Sequence, residues 1–130
     1  MNDMEFTGRV IREAREAKGW TQLQLADELD VDVRTVKRLE EGKTKSSSTL
    51  FFRCVYVLTL SADICIYAPR DETGLSMHRI FQELLTLTPE QIDRVYKSAR
   101  MIREWHDAHP DIVSWEDYLA YMDKAEEAAK

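Results

Sequence analysis

Polar and apolar positions alternate at helical spacing from the start of the chain. Phe6, Val10, Ala14 and Ala17 recur on one side, between Arg9, Arg12, Glu13, Arg15 and Glu16, which predicts a helix opened by Thr7 and stopped by Gly19. The next segment, WTQLQLADELD, puts Thr21 three residues before Gln24, the spacing of a capping box, and lines Leu23, Ala26 and Leu29 on one face with Leu25 beside them. At about nine residues it is too short to be stable alone and has to pack on a neighbour. Asp30-Val31-Asp32 interrupts it, and Asp32 can cap a third helix, VRTVKRLEEG, closed by Gly42. There Val36 and Leu39 face inward while Arg34, Thr35, Lys37 and Arg38 face out. The result is two short helices joined by a tight turn, with basic side chains on the second. An α-helix fits the major groove of B-DNA, where arginine reads guanine with two parallel hydrogen bonds.

The later pattern is less uniform. FFRCVYVLTL is rich in aromatic and β-branched residues, a composition that also suits a strand, although Ser46, Ser47 and Ser48 offer helix caps and Arg53 is expected to snorkel. PRDETG, residues 69–74, has the composition of a linker. Beyond it, Met77, Ile80, Phe81, Leu84, Leu85 and Leu87 form a broad apolar face. Thr88, Pro89 and Gln91 then open a helix with the stripe Ile92, Val95, Tyr96, Ala99, Ile102 and Trp105 or His106. After Pro110, Ser114 caps a last helix carrying Trp115, Tyr118, Leu119, Met122 and Ala125, with Lys124–Lys130 expected to fray.

The segment IREAREAKGWTQLQLADELDVDVRTVKRLEEGKTK resembles the Cro and phage-repressor type of helix-turn-helix regulators, the xenobiotic-response-element type, over residues 6 to about 68. Thr-Gln-x-x-Leu-Ala, a turn, then a helix ending Leu-Glu-x-Gly-Lys carries the resemblance. It implies an all-α fold, with a five-helix lambda-repressor-like domain whose third helix lies in the major groove. A fourth helix would run from about 47 to 58 and a fifth from Ser61 to near Tyr67. It also implies base reading by Val33, Arg34, Thr35, Lys37 and Arg38, and phosphate binding by Thr21, Gln22, Lys43, Thr44 and Lys45. Ala26 matches the small residue where the two helices cross. The turn position that is usually glycine falls on Asp30, which tolerates the left-handed conformation at a cost of roughly 1 kcal/mol. Asp32 sits where it repels phosphate unless it points away.

Charge sharpens this division. The chain carries a net −6, but residues 1–70 hold eleven basic and eleven acidic side chains, and residues 71–130 hold seven against thirteen. Within Val33 to Lys45 the balance is +3, a compact footprint for a polyanion on an acidic body. The expected organisation is a DNA-binding domain over 1–68, a linker over 69–74 and about three helices over 75–130. The last region is expected to dimerise through Phe81, Leu84, Leu85, Trp105, Trp115 and Tyr118, because a two-fold protein matches a two-fold operator.

Composition excludes other classes. With 44% apolar residues, 32% charged, four Gly and three Pro, the chain is neither collagenous, low-complexity nor a disulfide scaffold. Leu50 to Tyr67 is broken by Arg53 and Asp63, so no membrane span is expected, and MNDMEFTGRV lacks the pattern of a signal peptide. Cys54 and Cys65 read as buried reduced thiols. His106-x-x-His109 near Asp107 and Asp111 lacks further ligands, so no metal or other cofactor is expected. No glycine-rich phosphate loop, carboxylate pair or Cys–His arrangement suggests an enzyme, and no β-rich segment suits a self-cleaving serine–lysine domain. The reading is a cytoplasmic, nucleoid-associated bacterial repressor that binds double-stranded DNA as a homodimer. Two alternatives stand beside it: an antitoxin-type autorepressor holding a partner protein through its C-terminal helices, and an interaction module that has lost DNA binding.

Overall fold

The computed structural model describes all 130 residues and is entirely helical. Its elements are α1 (Asp3–Ala17), α2 (Gln22–Leu29), α3 (Val33–Glu40), α4 (Ser48–Leu58), α5 (Ala62–Tyr67), α6 (Glu72–Leu84), α7 (Pro89–Ala108) and α8 (Trp115–Ala129). They form two compact units, Met1–Thr86 and Leu87–Lys130.

Local chemistry sets most helix starts. Thr21 accepts from the Gln24 N–H at 3.1 Å while the Gln24 side chain accepts from the Thr21 N–H at 2.7 Å, so two end groups of α2 are satisfied reciprocally. Thr88–Gln91 and Ser114–Asp117 do the same for α7 and α8. Ser47 and Ser61 cap α4 and α5, so the aromatic and β-branched run is helical. The start of α1 differs from the expected one. Asn2, not Thr7, is its cap, in a reciprocal pair with Glu5, and Thr7 lies within the helix. The C-terminal residues expected to fray continue α8 as far as Ala129.

In the first unit the core draws on all six helices: Phe6, Val10, Ile11 and Ala14 of α1 meet Leu25, Ala26, Leu29, Val36, Cys54, Leu58, Cys65 and Leu75. Gly8 lets α1 approach the end of α3; a Cβ there would strike the carbonyl oxygen of Leu39 and lie 2.8 Å from that of Glu40. Cys54 and Cys65 are free and buried, and burial pushes both thiols up to about 11.

The stretch 69–74 does not separate the two units. Asp71 caps α6, and Glu72–Gly74 form its first turn. Gly74 is buried there in close packing that leaves no room for a side chain: a Cβ would strike the carbonyl oxygen of Pro69 and lie 2.9 Å from the Phe6 ring. Leu75 and His78, rather than the Met77–Ile80 side, are the buried face of α6. Four ion pairs surround that contact: Arg9–Glu72 at 3.2 Å, Arg79–Glu13 at 2.6 Å, Arg79–Glu72 at 3.7 Å and Arg70–Asp3 at 2.8 Å.

The second unit is built differently. No residue of α7 or α8 is buried. An aromatic cluster links the two helices. Trp105 stacks on His109 at 4.2 Å and meets the edges of Tyr118 and Tyr121 at 5.5 and 5.3 Å.

Candidate nucleic-acid interface

The turn between α2 and α3 follows from one backbone conformation. Asp30 adopts φ 54° and ψ 48°, and its N–H donates to the carbonyls of Ala26 and Asp27. The Val31 N–H donates to Ala26 at 3.0 Å. Asp32 then leaves the turn extended, and its carboxylate accepts the Arg34 N–H at 2.8 Å. That bond satisfies an end group of α3 and gives the acid a partner other than solvent or phosphate.

Leu25, Ala26 and Leu29 on α2 and Val36 and Leu39 on α3 are fully or almost fully buried. Arg34, Lys37 and Arg38 are left exposed, with Val33 partly so and Thr35 half-buried against the turn. Arg34 and Arg38, four residues apart, share one face of the helix. No ion pair holds either of them or Lys37. Arg53, expected to snorkel, donates instead to the Leu29 carbonyl at 3.1 Å and closes the end of α2.

The flanking groups are positioned by the ends of these helices. Thr21 is exposed but already serves as the α2 cap. Gln22 is half-buried, and its Nε2 donates to Glu40 Oε1 at 3.2 Å. Glu40 also receives Arg15 through Nε at 2.7 Å and Nη2 at 2.9 Å, while Arg15 Nη1 donates to the Trp20 carbonyl at 2.7 Å. The hydrogen bonds that Arg15 donates to Glu40 raise the Arg15 pKa further, so this guanidinium stays charged. Gly42 turns the chain after α3 with φ 69°, bringing Lys43, Thr44 and Lys45 around the helix end. Lys43 pairs with Glu41 at 3.0 Å and holds that carboxyl below its usual range. Lys45 is exposed and makes no such pair.

Sequence reasoning missed Arg15 and Glu40. Their spacing of twenty-five residues gives no local signal, and both read as ordinary surface charges until the helices are assembled. The six residues expected to dimerise do not form a single set. Phe81, Leu84 and Leu85 lie at the end of α6 in the first unit, with Leu85 exposed. Trp105, Trp115 and Tyr118 belong to the aromatic cluster of the second.

No three His, Cys, Asp or Glu side chains are grouped to hold a metal ion. No helix is long and apolar enough to cross a membrane. No curated protein matches the chain. Residues 11–62, from the middle of α1 to the start of α5, match the helix-turn-helix family model. Over those residues, less than half of its length, the chain is similar to the helix-turn-helix family of DNA-binding transcriptional regulators, in agreement with the resemblance to the Cro and phage-repressor type.

Proposed function

We propose that the chain is a repressor that reads a two-fold operator as a homodimer, with α3 in the major groove of each half-site. The observation that carries this is the exposed, unpaired set Arg34, Lys37 and Arg38 on a helix whose other side is sealed by Val36 and Leu39. A major groove about 12 Å wide accepts such a helix, and arginine is its commonest specific reader. Val33 and Thr35 lie beside these side chains and complete the base-reading set. Thr21, Gln22, Lys43, Thr44 and Lys45 bind phosphates on either side and fix the register. Lys43 leaves Glu41 to do so, at little cost for an exposed pair.

The second unit supports self-association. Met101, Trp115 and Val113 are 68%, 67% and 85% exposed, and they border an apolar groove of about 600 Å³ with Ile102, Trp105 and His106. Covering a large apolar side chain contributes about 1.5–3 kcal/mol. A second copy covers this face and also presents a second α3, with half-sites about 34 Å apart.

Selection from a random duplex library, with excess competitor at near-physiological salt, tests the reading. Wild type is expected to enrich an inverted repeat that the Arg34→Ala/Arg38→Ala variant does not. Enrichment of an unrepeated site would overturn the dimer, and no enrichment would overturn sequence-specific reading. A second small protein co-purifying on the α7–α8 face would favour the antitoxin-type alternative.

A further inference from the structure

Glu40 is the one buried carboxylate of the chain, with its side chain 2% exposed. It closes α3 and gathers three donors: Arg15 Nε on Oε2, and Arg15 Nη2 with Gln22 Nε2 on Oε1. The two bonds from Arg15 already form a bidentate pair that neutralises the carboxylate. The third bond adds little to that pair. It reaches instead across from the end of α3 to the first residue of α2, the side chain assigned above to a DNA phosphate.

An amide side chain has two ends of opposite character. Its carbonyl oxygen repels phosphate oxygens, while its NH₂ donates to them, and a free glutamine samples both orientations. A carboxylate only accepts, so Glu40 can face only the NH₂ end of Gln22. One N–H is used by Glu40, which leaves the second as a donor in a fixed direction. We propose that Glu40 is a positioning residue for DNA binding, holding the Gln22 amide so that its remaining N–H meets the phosphate backbone. Arg15 is the other half of the device: without it, an uncompensated carboxylate 3.2 Å from that amide would repel the phosphate it helps to bind. The inference rests on the assignment of Gln22 to a phosphate.

The test is a double-mutant cycle on binding to random-sequence duplex DNA, well below the melting temperature of every variant. Gln22→Ala removes the contact. Arg15→Met/Glu40→Met removes the acceptor while replacing the buried ion pair with apolar side chains of similar size, a change that folded proteins often accept. Gln22→Ala is expected to weaken binding about tenfold, the scale of one charge-assisted hydrogen bond, with an unchanged salt slope because no cation is lost. Arg15→Met/Glu40→Met is expected to weaken binding in the wild-type background and to have no further effect beside Gln22→Ala.

Additive effects would overturn the inference and leave Arg15 and Glu40 with a structural role only. A silent Gln22→Ala would overturn the phosphate assignment itself. Nuclear magnetic resonance of the wild-type side-chain amide does not depend on the variants folding. Relaxation of Gln22 Nε2 like that of the α2 backbone is expected, and an amide as mobile as those of exposed glutamines would overturn the proposal.

Discussion

Thr59 carries φ 55° at the end of α4, and its neighbour in conformation is Asp30, at φ 54°. The two residues are not equivalent. Aspartate visits the left-handed region with modest cost, whereas a β-branched side chain there is strained. Thr59→Gly is therefore expected to raise stability by about 0.5–1 kcal/mol after the entropy of the freer unfolded chain is counted, and Asp30→Gly by less. Denaturant midpoints of the two variants check the order. On α3 and its loop, charge divides the roles. Arg38 is exposed and unpaired on the proposed base-reading face, so Arg38→Ala is expected to cost about 1–3 kcal/mol and to relax specificity at one operator position. Lys43 lies outside the helix beside Glu41, so Lys43→Ala is expected to weaken all sequences alike and reduce the salt slope by about one unit. Titrations of a selected site and a scrambled duplex at several salt concentrations check both, and identical behaviour of the two variants would overturn the division. The exposure of Arg38 was legible because it follows from position along one short helix. Arg15 and Glu40 were not, because their meaning arises only when α1 and α3 meet.

The elements show the same division between local and assembled information. The capping boxes Thr21–Gln24 and Thr88–Gln91 and the cap Ser114 announce α2, α7 and α8 locally, and the structure starts each helix there. The composition of PRDETG suits a linker and hides the start of α6 at Glu72; the missing side chain of Gly74 in fact serves close packing against Pro69 and Phe6. His78 was passed over on that helix because a polar residue gives no inward signal, yet it is 2% exposed. Burial lowers its pKa from 6.5, opposed by Glu13 and assisted by Arg79. The folded state therefore binds this proton less readily than the unfolded chain. The neutral imidazole's contribution is complete above pH 6.5 and is lost as pH falls below it toward the lower folded value. Denaturation midpoints measured from pH 8 down to 5 are expected to fall in wild type and to flatten in His78→Leu. Asp3, held low by Arg70, loses its own contribution at more acidic pH, below its ordinary value of 3.8, so the two transitions separate. Because α6 completes the core around Phe6 through Leu75, a chain ending at Arg70 is expected to unfold at lower denaturant than one ending at Thr86.

At the scale of the molecule, two demands on salt oppose each other. DNA binding by the +3 stretch from Val33 to Lys45, as proposed, is expected to weaken as salt rises, because counterions compete for the phosphates. The proposed association through residues 87–130 would bring together two acidic surfaces, and salt screens that repulsion over about 8–10 Å. In the proposed dimer the apolar face of α7 and α8 supplies the attraction, lined by Trp115, 67% exposed, and Ile102, 61% exposed. A tryptophan near the centre of an interface contributes at least about 2 kcal/mol, roughly thirtyfold in the dissociation constant. Trp115→Ala is thus expected to weaken self-association by that order in sedimentation equilibrium, and Ile102→Glu to weaken it further by placing a charge in the groove. Neither change touches α3, so affinity for a single half-site is expected to stay at the wild-type value while affinity for the full operator falls at low protein concentration. Raising salt is expected to partly restore dimerisation of Ile102→Glu while lowering half-site affinity in every variant. Loss of half-site binding in Trp115→Ala would show instead that the second unit supports the fold of the first, and the assignment of α7 and α8 to dimerisation would fail.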